Sequence, residues 1–165
     1  MGKTLKKCGF GIVEVLVASA IISTAIFSLY YVFVLSHRLS AGAGEKISAN
    51  FLAEEGLEVM RYLRDESWED NLKNLSVSTN YYIDFDKINS EWSVGTANPG
   101  PIDGRFTRVI TVANVSRDGL DNIVLTGGTN DPDTKKINVA ISWSAAPGTV
   151  SSITLSTYLS DIFNN

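Results

Sequence analysis

The sequence predicts an α+β protein: one long N-terminal helix followed by an antiparallel β-sheet head. Three observations predict it. An unbroken apolar run covers residues 10–35, and apolar residues then recur at three- and four-residue steps to about Asp65. Beyond Ser67 apolar and polar residues alternate, punctuated by Gly, Pro, Asn and Asp. With 165 residues, the chain suits one modest domain plus one long helix, not two ordinary domains.

The first element is a basic head, residues 1–9, carrying Lys3, Lys6 and Lys7. The run that follows, 26 residues long, measures about 39 Å as a helix, enough to cross a hydrocarbon core of about 30 Å. A secretory signal peptide would have an apolar region of only about 7–15 residues. Ala18-Ser19-Ala20 offers a small-residue site, but the apolar run continues past it. Lysine-rich flanks stay cytoplasmic, so the expected topology is a single-pass anchor in the cytoplasmic membrane with its N-terminus inside. A plain anchor accounts for everything except Glu14, the one charged side chain between Phe10 and Ser36. A carboxylate in a spanning segment costs about 2.5 kcal/mol or more at its centre, and such residues are usually functional or paired.

The arrangement Gly9-Phe10-x-x-x-Glu14, with lysines before it and an apolar helix after it, resembles the class III signal of type IV prepilins and type II secretion pseudopilins. The resemblance implies that a membrane aspartyl peptidase cuts the Gly9–Phe10 bond. It also implies that Phe10 is then N-methylated and that Glu14 becomes the fifth residue of the mature chain. In that family the carboxylate engages the N-terminal amine of a neighbouring subunit as the helix enters a filament. Gly11 stands where the family usually has Thr or Ser. Physically, a new ammonium at Phe10 and a carboxylate one helical turn on are each costly alone in an apolar bundle and offset one another as a pair. Pairing with the chain's own amine, or snorkelling to the interface, uses the same geometry. The implied partners are other pilin or pseudopilin subunits, the prepilin peptidase/methylase and the membrane.

The second element continues the helix. Ile47, Phe51, Leu52, Leu57, Val59, Met60 and Leu63 form an apolar stripe, and Glu45, Lys46, Glu54, Glu55, Glu58, Arg61 and Arg64 fill the other face. Residues 51–65 resemble the corresponding helix end of minor pilins and minor pseudopilins. Gly42 and Gly44 mark a soft spot between the anchor and the amphipathic part, each weakening the helix by about 1 kcal/mol relative to alanine. The expected organisation is a cleaved leader 1–9, a transmembrane and filament-core helix 10–36, an amphipathic helix 37–65 and a β-rich head 66–165.

The head contributes the strands. A first hairpin is expected from 81–85 and 92–94, then strands over 106–112, 137–143 and 153–159, with a short one near Val124. The sheet should cover the helix stripe.

Little in the head suggests chemistry. The formal net charge of -4, with no basic stripe outside the first seven residues, argues against a nucleic-acid partner. Cys8 has no partner for a disulfide and cannot build a zinc site alone. His37 lies just past the apolar run, where a headgroup-level position suits it, and no nucleophile–base pair or phosphate loop is visible. Asn130, Asp131 and Asp133 offer oxygens to Ca²⁺, and Asp118, Asp121 and Asn122 form a similar turn. Their spacing matches no complete calcium loop, and Asp and Asn are ordinary turn residues, so no cofactor is expected. Trp68, Trp92 and Trp143 read as core or sheet-face residues. The resulting expectation is a minor pilin or pseudopilin and not an enzyme. The rival from another class is a membrane-anchored adhesion or binding module that never polymerises.

Overall fold

The structure, a computed structural model, describes residues 11–146 and 148–163. Helix α1 spans Ile12–Glu66, followed by a π-helical turn at Glu69–Lys73. Six strands complete the chain: β1 Tyr82–Asp86, β2 Glu91–Gly95, β3 Thr107–Arg117, β4 Ile123–Val124, β5 Thr129–Ala146 and β6 Thr149–Ser160. The α+β class read from the sequence is the one observed. The chain divides into two compact units between Ala43 and Gly44, and α1 stays helical through Gly42 and Gly44.

In the first unit the helix begins where the Gly11 carbonyl accepts the amides of Glu14 and Val15 at 3.0 and 3.3 Å. The side chains here pack on nothing within the unit and are described with the candidate site.

In the second unit α1 buries a narrow stripe. Ala49, Ala53, Met60 and Leu63 are at most 1% exposed, and Gly56 is buried among them. Their 4-3-4-3 spacing holds one helix face. Three of the five are small, which lets the helix lie close on the sheet. A Cβ at Gly56 would stand 2.8 Å from Cγ1 of Val139 on β5. The stripe expected from the sequence is corrected here: Ile47 and Phe51 are 55% and 66% exposed. Each lies two residues, about 200° of helix rotation, from a buried alanine, so the two large side chains point away from the sheet. Hydropathy favoured the bulky residues, whereas close approach selected the small ones.

The helix ends without a glycine cap. The Leu63 carbonyl accepts both the Ser67 amide and the Asn71 side-chain amide, at 3.2 and 2.9 Å. The π-helical turn then drives Trp68 and Leu72 into the core, both at most 1% exposed. The sequence carries no helical signal beyond Asp65, because five residues show no measurable period.

The main sheet has the order β4-β3-β5-β6, antiparallel throughout, and β1-β2 forms a separate hairpin. An isolated bridge between Tyr81 and Ile110 joins the hairpin to β3. In-register rows such as Ile110–Val139–Leu155 put β-branched and leucine side chains on the face that covers the helix. The hairpin, the short β4 and the three long strands all occur where alternation places them, but β3, β5 and β6 each run longer than expected. Residues 127–132 read as a turn, yet only Gly127 and Gly128 turn the chain, at φ +74° and +79°. Gly128 is obligatory, because a Cβ there would meet the Arg117 carbonyl oxygen at 2.4 Å. Thr129 already begins β5. Pairing with β3 jumps from Asn114↔Lys135 to Val115↔Asp131, so Pro132 sits in a bulge, where its missing N–H breaks no ladder bond.

Candidate functional site

The first unit is the part of the chain with the least ordinary surface. From Ile12 (82% exposed) to Leu39 (67%) the large apolar side chains are exposed, apart from the half-buried Val34. They point in every direction, since Ile12, Val13, Leu16, Val17, Ile21 and Ile22 together surround the axis. A helix apolar all round is a buried helix or a membrane helix. Its most apolar part is an eighteen-residue window of mean hydropathy 2.2, long and apolar enough to cross a membrane.

Four hydroxyls inside this segment are satisfied locally. Ser19, Ser23, Thr24 and Ser28 each donate a hydroxyl to a carbonyl three or four residues earlier, at 2.7 to 2.9 Å. Such back-bonding removes the cost of placing a hydroxyl in hydrocarbon. Glu14, in the first turn of α1, is the segment's carboxylate, and among the described residues nothing donates to it. The Gly9–Phe10 bond, together with Cys8 and the three lysines, lies outside the described residues. His37 is exposed on the helix, with no nucleophile brought to it among the described residues.

The head disperses the residues that resembled a calcium loop. Asn130 and Asp131 are consecutive on β5 and therefore point to opposite faces, while Asp133 lies exposed in the bulge. Asp131 is instead an ion-pair acceptor. Arg117 Nε donates to its Oδ2 at 2.7 Å, and the Asp133 amide donates to Oδ1 at 3.0 Å. Arg117 also reaches the Asp121 carbonyl at 3.0 Å and the Thr134 hydroxyl at 3.3 Å. The guanidinium holds the Asp131 carboxyl below its ordinary range, and the hydrogen bond that Arg117 donates to Asp131 raises Arg117 in turn. Asp118 is lowered as well, chiefly by the amides of Asn122 and Leu120 that close its turn. The two acidic turns thus converge on a cation, and that cation is Arg117. Sequence reading missed Arg117, because nothing local marks the partner of residues 4 and 14 positions away. Among the described residues no group of three or more His, Cys, Asp or Glu is placed to hold a metal ion.

A cleft of about 510 Å³ opens between the helix and the β1-β2 hairpin, lined by Glu55, Glu58, Tyr62, Phe85, Ser90 and Trp92 among others. Phe85 and Trp92 pack with ring centroids 5.0 Å apart. Both acids are committed to ion pairs: Glu55 accepts from Arg108 at 3.1 Å, and Glu58 accepts from Arg61. Trp68 and Trp143 are core residues, as expected, whereas Trp92 is half-buried in the cleft wall.

Fold and site together define a class: an α+β head of antiparallel strands, carried on a helix with one segment apolar enough to cross a membrane. No protein-family model matches the chain, and neither the curated proteins nor the solved structures contain a match to it.

Proposed function

We propose that this chain is a structural subunit, a minor pilin or pseudopilin, of a type IV pilus-like filament. It would be made as a single-pass precursor in the cytoplasmic membrane and trimmed between Gly9 and Phe10. The observation that carries this reading is the helix from Ile12 to Leu35, apolar and exposed on nearly all sides, with Glu14 as its one charge. Each of those side chains gains about 1.5–3 kcal/mol on leaving water, so the segment requires lipid or sister helices around it. Lipid alone satisfies the apolar surface and offers the carboxylate of Glu14 only its own chain's amine. A bundle of sister helices satisfies both, since each cleaved neighbour brings an N-terminal ammonium. Assembly and surface display are then the work of the protein, without catalysis. A type II secretion minor pseudopilin uses the same parts in a filament that pushes exoproteins outward.

Co-expression with a prepilin peptidase tests the reading. The expected result is loss of nine residues by intact mass, with a methyl group on Phe10 where the enzyme also methylates, and loss of cleavage in Gly9→Ala. Glu14→Gln should be cleaved normally and incorporated poorly into filaments. Retention of Met1 in the native protein would overturn the proposal and leave a membrane-anchored binding module that does not polymerise.

A further inference from the structure

The four-stranded sheet ends in two unlike edges. One edge is β4, two residues long, and so short an edge offers nothing to pair with. The other is β6, twelve residues from Thr149 to Ser160, hydrogen-bonded to β5 alone among the described strands. Natural edges are blunted with lysine, proline, inward charges or brevity. The sequence Thr-Val-Ser-Ser-Ile-Thr-Leu-Ser-Thr-Tyr-Leu-Ser has none of these. On its core side Ile153 and Leu155 remain half-buried, and on its outer side Val150 and Tyr158 are 76% and 42% exposed.

The order of residues says what fits this edge. Laid antiparallel on a copy of itself about Thr154, the strand sets Val150 against Tyr158, Ser152 against Ser156 and Thr154 against Thr154 on the outer face. On the core face it sets Ser151 against Thr157 and Ile153 against Leu155. From 150 to 158 every aliphatic or aromatic side chain meets another, and every Ser or Thr meets a Ser or Thr. Centring the pair on Ile153 sets Leu155 against Ser151, and centring it on Leu155 sets Ile153 against Thr157. Centring it between residues turns one strand's core face outward. With no charge on the strand, self-pairing meets no repulsion, and the ladder supplies about ten backbone hydrogen bonds.

We propose that β6 is the pairing edge for a second copy of this chain, two β6 strands joining antiparallel about a twofold axis through Thr154. The contact is isologous, each copy giving the same strand, and it merges two four-stranded sheets into one. It depends on β6 alone, and it holds whether or not the helix polymerises.

Disulfide trapping in the full-length protein, in membranes and with Cys8→Ser as background, tests the register. Opposed residues stand about 4.5–5.5 Å apart at Cα, inside the range a disulfide spans. Thr154→Cys should therefore cross-link to a dimer under mild oxidation. Ser152→Cys alone should not, because its two copies lie about 13 Å apart along the strands. A mixture of Ser152→Cys and Ser156→Cys proteins should cross-link again. Thr154→Lys, which sets like charges face to face at an exposed position, should weaken the dimer about tenfold or more while leaving thermal unfolding of the head unchanged. Absence of a Thr154→Cys dimer, or equal trapping at 152 and 154, overturns the proposal. So does a dimer indifferent to Thr154→Lys, which assigns dimerisation to the helix. Protection from hydrogen exchange, in a monomer, of those β6 amides that do not donate to β5 shows the edge already covered and overturns it too.

Discussion

The indole N–H of Trp143 donates to the Glu45 carboxylate at 2.9 Å, tying β5 to the helix across 98 positions of sequence. The other carboxylate oxygen takes the guanidinium of Arg105. The Phe106 ring lies 6.0 Å from the Trp143 ring, and Arg105 stacks over Phe106 at 5.8 Å. A glutamate read as part of the solvated helix face is therefore an anchor for the sheet. Its side chain keeps only 18% of its exposure. Trp143→Phe keeps most of the ring packing and removes the donor. It should cost about 1.5–3 kcal/mol in denaturant unfolding of the solubilised full chain, the range for a hydrogen bond to a charged group. Glu45→Gln, which keeps an acceptor, should cost less than half of that.

Gly56 sets the distance between helix and sheet. Gly56→Ala gains up to about 1 kcal/mol of helix propensity. The added methyl would stand 2.8 Å from Val139 and 3.2 Å from Cδ of Arg108, so overpacking of about 1–3 kcal/mol outweighs that gain. The expected net effect is destabilisation in thermal unfolding. Gly56→Ala combined with Val139→Ala should be less destabilised than the sum of the two single variants.

Two apolar residues on the same helix should behave oppositely. Leu63, 1% exposed, should cost about 2–5 kcal/mol as Leu63→Ala. Phe51, the larger side chain at 66% exposure, should change head stability by no more than about 0.5 kcal/mol as Phe51→Ala. Unfolding midpoints of the two variants check the corrected stripe directly.

The Arg117–Asp131 pair gives the head an acid limit. Because the folded carboxyl titrates below its ordinary value, its contribution is complete above about pH 4 and is lost as pH falls through the depressed folded value. Asp131→Asn should therefore be less stable than the parent by a constant margin above about pH 5. Below about pH 4 the margin should shrink. Parallel unfolding curves from pH 2 to 7 measure it.

The composition of the helix was legible early, because period and hydropathy are local. The run from Phe10, the isolated Glu14, the helix end within one residue of Asp65, and alternation over 106–112, 137–143 and 153–159 all depend on neighbours a few positions away. Steric and solvation preferences act at that range, so one-dimensional pattern suffices.

Tertiary structure decided what pattern cannot encode. It chose Ala49, Ala53 and Gly56 over Ile47 and Phe51 as the buried stripe, because backbone approach rewards small volume and not hydropathy alone. It drew Asp121 and Asp131 to Arg117 and Glu45 to Trp143, since an ion pair or a long-range hydrogen bond exists only once distant strands are in register. It also made β6 an edge among the described strands, a property of strand order and not of any residue in the strand.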